Sequence, residues 1–169
     1  PMSRIENQTV ATATCTEVFW SFGGFKTITN TESFNDLWLY NLTTNKWTWV
    51  SGGSASNVTS IPGPIGVGLP GNRIGSRGGV YIWSDAQNNL WVFGGLAFDS
   101  TINALGLKND LWRFQPDTTC FDAGFSSVLV DPQIWIYVRA IPPACRCLLW
   151  RYSTFHLPRA TCIPPTHRG

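Results

Sequence analysis

The sequence predicts an all-β fold made of two repeated units with four short strands in each complete unit. Three observations lead to this prediction. A hairpin over residues 36–50 is apolar on both faces, and the motifs around it recur 71 to 74 positions later. The composition is 43% hydrophobic and 13% charged with 16 Gly, which is typical of packed strands joined by many turns.

The hairpin of residues 36–50 is the clearest local signal. Side chains alternate along a strand, so Trp38 points to one face and Leu39 to the other. The second strand carries Trp47 and Trp49 on one face. A strand that is apolar on both faces needs a protein layer on each side, so we expect the hairpin to lie inside a stack of sheets.

Three motifs recur in the same order along the chain, at spacings of 73, 71 and 74 residues. They are Ser3-Arg4 with Ser76-Arg77, Phe22-Gly23-Gly24 with Phe93-Gly94-Gly95, and Asn35-Asp36-Leu37-Trp38 with Asn109-Asp110-Leu111-Trp112. Three anchors at nearly one period indicate an internal repeat, and a repeat takes precedence over any local interpretation.

The first unit is predicted to cover residues 1–72. Paired glycines, Gly23 and Gly24, end its second strand. Such a pair suits a place where φ is positive or where two backbones approach closely. Residues 51–72 hold six Gly, three Pro and no charged residue, so we expect a long surface loop there.

The second unit is predicted at residues 73–119 and is expected to be incomplete. Its apolar strand at residues 90–93 ends in Gly94-Gly95, as in the first unit. After Thr119 the repeat requires a Trp-x-Trp strand like residues 47–49, and the sequence has none at that spacing.

Residues 120–169 differ in composition from both units. They hold four of the five Cys, six of the eleven Pro and both His, with five Arg and no Lys or Glu. Residues 133–138 have the pattern of a strand, and the remainder has no periodicity. The change in the middle of a unit predicts an atypical Cys/Pro/Arg-rich tail, which is either disordered or the product of a frameshift.

With these motifs assembled, residues 1–119 resemble kelch repeats. More narrowly, they resemble the long-period units of the galactose-oxidase central-domain type, in which Phe-Gly-Gly, Asn-Asp-Leu-Trp and Trp-Thr-Trp follow one another. Met2 and Ile74 depart from the Pro-Gly-x-Arg pattern that begins such units. The Trp strand expected after Thr119 is a further departure.

The resemblance implies a β-propeller in which each unit is one four-stranded blade. Propellers close with about four to eight blades, so two units imply a piece of a larger propeller or a chain that associates. We expect self-association through uncovered blade faces, because five tryptophans would form an apolar surface there. These are Trp38, Trp47, Trp49, Trp91 and Trp112.

Charge and cysteine spacing exclude several classes of partner and cofactor. A net charge of +2 does not indicate a nucleic-acid partner, and no apolar run is long enough to span a membrane. Cys145-Arg146-Cys147 with His156, Cys162 and His167 does not have the usual Cys-x2-Cys spacing of a zinc site. No metal and no cofactor are therefore predicted.

The recurring arginines and aspartates are interpreted as structural. Arg4 and Arg77 are expected to make a repeated hydrogen bond or ion pair, and Asp36 and Asp110 are interpreted in the same way. No pocket with paired carboxylates is indicated, so no catalytic residue is assigned. The galactose-oxidase resemblance would require Tyr and His ligands and a Tyr–Cys cross-link. Residues 1–119 contain no His.

Three Asn-x-Thr sequons begin at Asn7, Asn41 and Asn57. Asn57 lies in the long loop and is the expected glycosylation site, whereas Asn41 is expected to begin a turn. The sequons and the narrower resemblance favour an extracellular location, with a cytoplasmic one left open.

The function predicted is that of a non-catalytic protein-interaction module. Loops at the two ends of a propeller carry recognition, and the candidates are residues 25–34, 51–75 and 96–108. The alternative is part of an extracellular carbohydrate-binding or galactose-oxidase-like propeller. The sequence does not identify the partner.

Overall fold

The computed structural model describes residues 1–11, 18–29, 32–116 and 134–140. The chain divides into two compact units, Pro1–Arg139 and Ala140–Gly169, and all described residues except Ala140 belong to the first. Every regular element among them is a β-strand, which confirms the predicted all-β fold class. None of the described residues forms a helix long and apolar enough to cross a membrane.

The first blade is an antiparallel sheet whose strands are paired in chain order. Its strands are β1 (Gln8–Ala11), β2 (Val18–Phe22), β3 (Leu37–Asn41) and β4 (Lys46–Ser51). The predicted hairpin is confirmed, since Trp38 pairs with Trp49 and Tyr40 with Trp47. Its turn forms because the side chain of Asn41 accepts a bond from the backbone of Thr44 at 2.9 Å.

The second blade is also four-stranded, in the order β11-β10-β7-β6. Its strands are β6 (Tyr81–Ser84), β7 (Leu90–Phe93), β10 (Asp110–Gln115) and β11 (Ile134–Ala140). The pairing of Trp112 with Val92 matches that of Trp38 with Ser21 in the first blade. The two blades therefore share one register, as the repeat requires.

The fourth strand of the second blade is present and comes from further along the chain. The strand predicted at residues 133–138 is β11, and it lies beside β10. Trp135 packs 5.1 Å from Phe114 and Tyr137 packs 5.3 Å from Trp112, between ring centroids. The expectation that the second unit lacks a fourth strand is therefore wrong. The rest of the predicted tail lies outside the described residues.

A small third sheet is inserted between the strands of the second blade. Its order is β5-β8-β9, with β5 at Arg77–Gly78, β8 at Leu96–Asp99 and β9 at Ala104–Leu107. Residues 96–108, which were predicted as a candidate recognition loop, are therefore mostly a β-hairpin. Lys108, which follows β9, forms an ion pair of 3.0 Å with Asp99, the last residue of β8.

The hydrophobic core lies between the two blades. The first blade contributes Val18, Trp20, Phe22, Leu37, Leu39 and Val50, and the second contributes Val80, Leu90, Val92, Trp112, Phe114 and Trp135. Burial of each such side chain contributes about 1.5–3 kcal/mol, so this contact holds the blades together. We call these two faces the inner faces, and the opposite face of each blade its outer face.

Candidate interaction surface

In the first unit, the recurring arginine and aspartate lie together in a group of polar contacts, which we call the polar node. The guanidinium of Arg4 pairs with the carboxylate of Asp36, with 2.7 Å between Nη2 and Oδ2. The indole of Trp38 donates to the same carboxylate at 2.6 Å, and Arg4 also donates to the carbonyl of Gly23 at 3.3 Å. The guanidinium lies over the ring of Phe34, 4.0 Å from its centroid.

The second unit repeats this node. Arg77 donates to both oxygens of Asp110, at 2.6 and 3.1 Å, and to the carbonyl of Gly94 at 3.0 Å. The indole of Trp112 donates to Asp110 at 2.7 Å. The long loop adds one more contact, from Arg77 to the hydroxyl of Ser60 at 3.0 Å. The node in the second unit is therefore covered by the long loop of the first unit, which makes no such contact with Arg4 among the described residues.

Electrostatics at the second node favour a permanent carboxylate. Burial raises the pKa of Asp110, but the hydrogen bond and charge of Arg77, together with the bond from Trp112, lower it below its ordinary value. An aspartate that is ionised at neutral pH and saturated by donors fixes its neighbours in place. This environment supports a structural role for the node rather than acid–base catalysis.

The first glycine pair lies where the two blades approach each other, and the second pair holds the same place in the second blade. Gly23 and Gly94 have φ of 60° and 67°, a region that favours glycine. A Cβ on Gly23 would also overlap the carbonyl oxygen of Arg77, because the backbone that begins the second unit passes directly over it. Gly24 and Gly95 have φ of 100° and 90°. Both reasons predicted for such pairs apply at Gly23.

Asn35 connects the first unit to the second. Its side chain donates to the carbonyl of Ile74 at 3.0 Å and accepts from the backbone of Gly53 at 3.2 Å. The residue is almost fully buried, so these bonds lie away from water. Asn109 holds the same place in the second unit, directly before β10.

The five tryptophans expected at an uncovered surface divide into three groups. Trp47 and Trp49 are 40% and 50% exposed on the outer face of the first blade. Trp38 and Trp91 are half-buried on the outer faces. Trp112 is fully buried, and its expected exposure is wrong because its face of the second blade packs on the first blade.

The long loop exposes several large apolar side chains. Four aliphatic side chains, which we call the loop crest, are 42–67% exposed: Ile61, Ile65, Val67 and Leu69. No charged residue occurs from position 47 to position 72. A cluster of exposed large apolar groups on a folded surface is typical of a site that contacts another molecule.

The loop crest is held in shape by hydrogen bonds across the loop. Ile61 and Arg73 exchange two backbone bonds of 2.8 and 2.9 Å. The side chain of Asn72 donates to the carbonyl of Val67 at 2.8 Å, and its backbone donates to Leu69 at 2.9 Å. These bonds close the loop on both sides of the crest.

The second blade supports the loop from below. The side chain of Asn72 also donates to the carbonyl of Trp135 at 2.9 Å, and the backbone of Gly66 donates to that of Tyr137 at 2.9 Å. Asn72 is therefore a buried residue that connects the loop to β11 through its hydrogen bonds. The loop was predicted from its composition, whereas this connection depends on a strand more than 60 residues away.

Asn57, the expected glycosylation site, lies at the start of this loop. Its side-chain oxygen accepts bonds from the backbone and the hydroxyl of Ser33, at 2.9 and 3.1 Å. Its backbone has a φ of 57°. Glycosylation at this position stays a prediction.

No cluster of three or more His, Cys, Asp or Glu side chains that could hold a metal occurs among the described residues. Cys145, Cys147, His156, Cys162 and His167, which were considered for zinc, lie outside that part of the chain.

Comparison with known proteins adds one likeness. No curated protein matches this chain at a significant level. Residues 8–54, which run from the first strand of the first blade past its last, match the family model of the Kelch motif.

Proposed function

We propose that this chain is a non-catalytic protein-interaction module that binds its partner through the loop crest. The observation that carries this proposal is the exposure of four aliphatic side chains on a loop tied down at both ends. The match of residues 8–54 to the Kelch motif supports a module built on propeller blades. We further propose that the chain is part of a larger propeller.

The shape of the loop favours binding. Its backbone bonds from Ile61 to Arg73 and from Asn72 to Leu69 exist before any partner arrives. A preorganised loop loses little conformational entropy on association, so more of the contact energy appears as affinity. Full burial of one aliphatic side chain contributes about 1.5–3 kcal/mol, which makes Ile65 and Leu69 the expected anchors.

The chemistry of the crest also defines the partner. Residues 48–72 carry no charge, so the matching surface is an apolar groove without a requirement for opposite charge. Binding through this surface should change little with ionic strength, because salt screens charges and not apolar contacts.

A matched pair of isoleucines tests this function. Ile65 and Ile102 are 67% and 65% exposed, on the crest and on the β8–β9 turn. A photo-crosslinker placed at each position in the full chain should capture a partner from position 65 only. With that partner purified, Ile65→Lys should weaken binding by about tenfold or more, as expected for a binding hot spot.

Ile102→Lys is the control and should bind as the wild type does. Equal losses for the two variants, or equal crosslinking from the two positions, would contradict the proposal. Circular dichroism of both variants checks that each is folded.

A second candidate is carbohydrate binding, as part of an extracellular or galactose-oxidase-like propeller. The rings of Trp83 and Trp91 are parallel within 6° and 6.1 Å apart on the outer face of the second blade, and Trp83 is 41% exposed. A glycan array probed with the full chain tests it. Sugar binding that Trp83→Ala abolishes and Ile65→Lys leaves intact would favour this candidate over the crest.

A further inference from the structure

We propose that a second copy of this chain docks head to tail on the first, with the outer face of its first blade against the outer face of the second blade. This contact would reproduce the blade–blade contact that already exists within one chain. The contact concerns the blade faces and is independent of the loop crest. The other blades of the larger propeller proposed above would then come from further copies of this chain.

The outer face of the second blade is the counterpart of the inner face of the first. Trp20 and Phe22 pair with Val10 and Gln8, in the register in which Trp91 and Phe93 pair with Trp83 and Tyr81. Trp20 and Phe22 are buried against the second blade, whereas Trp91 and Phe93 are half-buried. The second blade thus carries an aromatic face of the kind that the first blade already uses for docking.

The outer face of the first blade is likewise the counterpart of the inner face of the second. Trp38 and Tyr40 hold the positions of Trp112 and Phe114. Trp112 and Phe114 are completely buried under the first blade, whereas Trp38 and Tyr40 are half-buried. The two outer faces therefore match each other as the two inner faces do.

The fourth strands extend this match. Trp135 packs beside Phe114 as Trp47 packs beside Tyr40, with centroid distances of 5.1 and 4.9 Å. Trp135 is 3% exposed and contacts Phe22 of the opposite blade at 5.6 Å. Trp47 is 40% exposed and would make the same contact with Phe93 of another copy.

A cavity marks the place where the incoming chain would enter. In the first blade, Gly23 and Gly24 are covered by the backbone of Arg77, to which Gly24 donates at 2.9 Å. In the second blade, Gly94 and Gly95 line an open cavity of about 330 Å³. By the repeat, residues 4–5 of a second copy would fill this cavity as Arg77 and Gly78 fill its counterpart.

An unpaired donor marks the other end of the contact. The Nε of Arg77 donates to the carbonyl of Gly75 at 3.2 Å. The side chain of Arg4 is 8% exposed, and its Nε is buried without an acceptor among the described residues. A buried donor without a partner is costly, so an acceptor brought to it when a second copy docks would stabilise the contact.

One substitution distinguishes the new contact from the internal one. Arg113 stands where the first blade has Leu39, and its guanidinium lies 5.7 Å from the centroid of Trp91. In the proposed contact, Arg113 would lie against the aromatic face that Trp38 and Tyr40 of the second copy form. A guanidinium on an aromatic face is favourable by about 0.5–2 kcal/mol, so Arg113 is compatible with docking.

The docking partner can be inferred from the way the two outer faces differ. The two matching faces are on opposite sides of one chain, so the contact is heterologous and each copy can bind one neighbour on each side. A flat partner with a single face would satisfy only one end. Closure into the usual four to eight blades would take about two to four copies.

A mixing experiment tests this geometry on the full chain. Trp47→Lys blocks the outer face of the first blade and Trp83→Lys blocks that of the second, at positions 40% and 41% exposed. Sedimentation velocity should show oligomers of the wild type that grow with concentration, and each variant alone should stay monomeric. An equimolar mixture should form a discrete one-to-one dimer, because each variant keeps the face that the other needs.

A wild type that stays monomeric at all concentrations, or a mixture that forms no dimer, would overturn the proposal. Oligomers that persist in both single variants would also overturn it. Ile102→Lys should assemble as the wild type does. Circular dichroism confirms folding, and Trp49→Lys with Tyr81→Lys is the replacement pair if either first variant is unfolded.

Discussion

The two blades carry the same polar node in two different surroundings. Arg77, Asp110 and Trp112 lie beneath the first blade and the long loop, and Arg77 is completely buried. Arg4, Asp36 and Trp38 lie at the outer face of the first blade, where Trp38 is half-buried. The same motif therefore lies in the contact between the blades in the second unit and beside an exposed blade face in the first unit.

The largest contrast is expected for the tryptophans of the two nodes. Trp112→Ala removes a fully buried ring from the contact between the blades and should cost about 3–5 kcal/mol of unfolding free energy. Trp38→Ala removes a half-buried ring and should cost less than half as much. Urea denaturation of both variants measures this contrast, and equal losses would show that the nodes are packed alike.

The aspartates should show a smaller contrast. Asp110→Ala leaves the charge of Arg77 buried and partly unpaired, at a cost of about 3 kcal/mol. Asp36→Ala leaves the charge of Arg4 beside the ring of Phe34 and close to the outer face, so we expect a smaller loss. Chemical denaturation is again the measurement. The expected order rests on the arginines, since the side chain of Arg77 is fully buried and that of Arg4 is 8% exposed. A greater loss for Asp36→Ala would contradict it.

The glycines separate backbone strain from blade contact. Gly23→Ala and Gly94→Ala both place a side chain at positive φ, at about 1 kcal/mol or more each. Only Gly23→Ala also overlaps the backbone of Arg77, whereas the nearest atom to a Cβ on Gly94 is the carbonyl of Lys108 at 3.0 Å. Gly23→Ala should therefore lower the thermal midpoint further. The same shift for both variants would remove the distinction.

The smallest effect is a dependence on pH. The pKa of Asp110 is lower in the folded chain than its ordinary value of 3.8. The stability that it contributes is therefore fully present above that ordinary value and is lost as pH falls through the lowered pKa. Between pH 5 and pH 2 the wild type should lose more stability than Asp110→Asn, as measured by denaturation at each pH. Parallel losses would show that Asp110 does not carry this effect.

The sequence was sufficient to predict the repeat and the first blade. The hairpin from Trp38 to Trp49 is marked by apolar strands around a polar turn. Successive side chains of a strand point to opposite faces, so the residues that share a face could be assigned in advance. The arginines and aspartates could also be paired in advance, because they recur at one period. Their different burial could not be predicted, since it depends on which blade lies on which face.

The later strands were harder to predict for a specific reason. Trp135 stands 88 positions after Trp47, against 74 between Asn35 and Asn109, so a fixed period misses β11. The aromatic pair Trp135 and Tyr137 was the available signal, because it repeats the spacing of Trp47 and Trp49. The β8–β9 hairpin left no trace in the period, since the spacing between units changes by only three residues across it.

Residues 134–140 complete the second blade as residues 46–51 complete the first. Hydrogen exchange of the full chain, read by mass spectrometry, is the decisive test of this arrangement. We expect slow exchange in both segments, because each donates backbone bonds to a neighbouring strand. Rapid exchange in residues 134–140 while residues 110–115 stay protected would contradict the claim, and the second blade would then have only three strands.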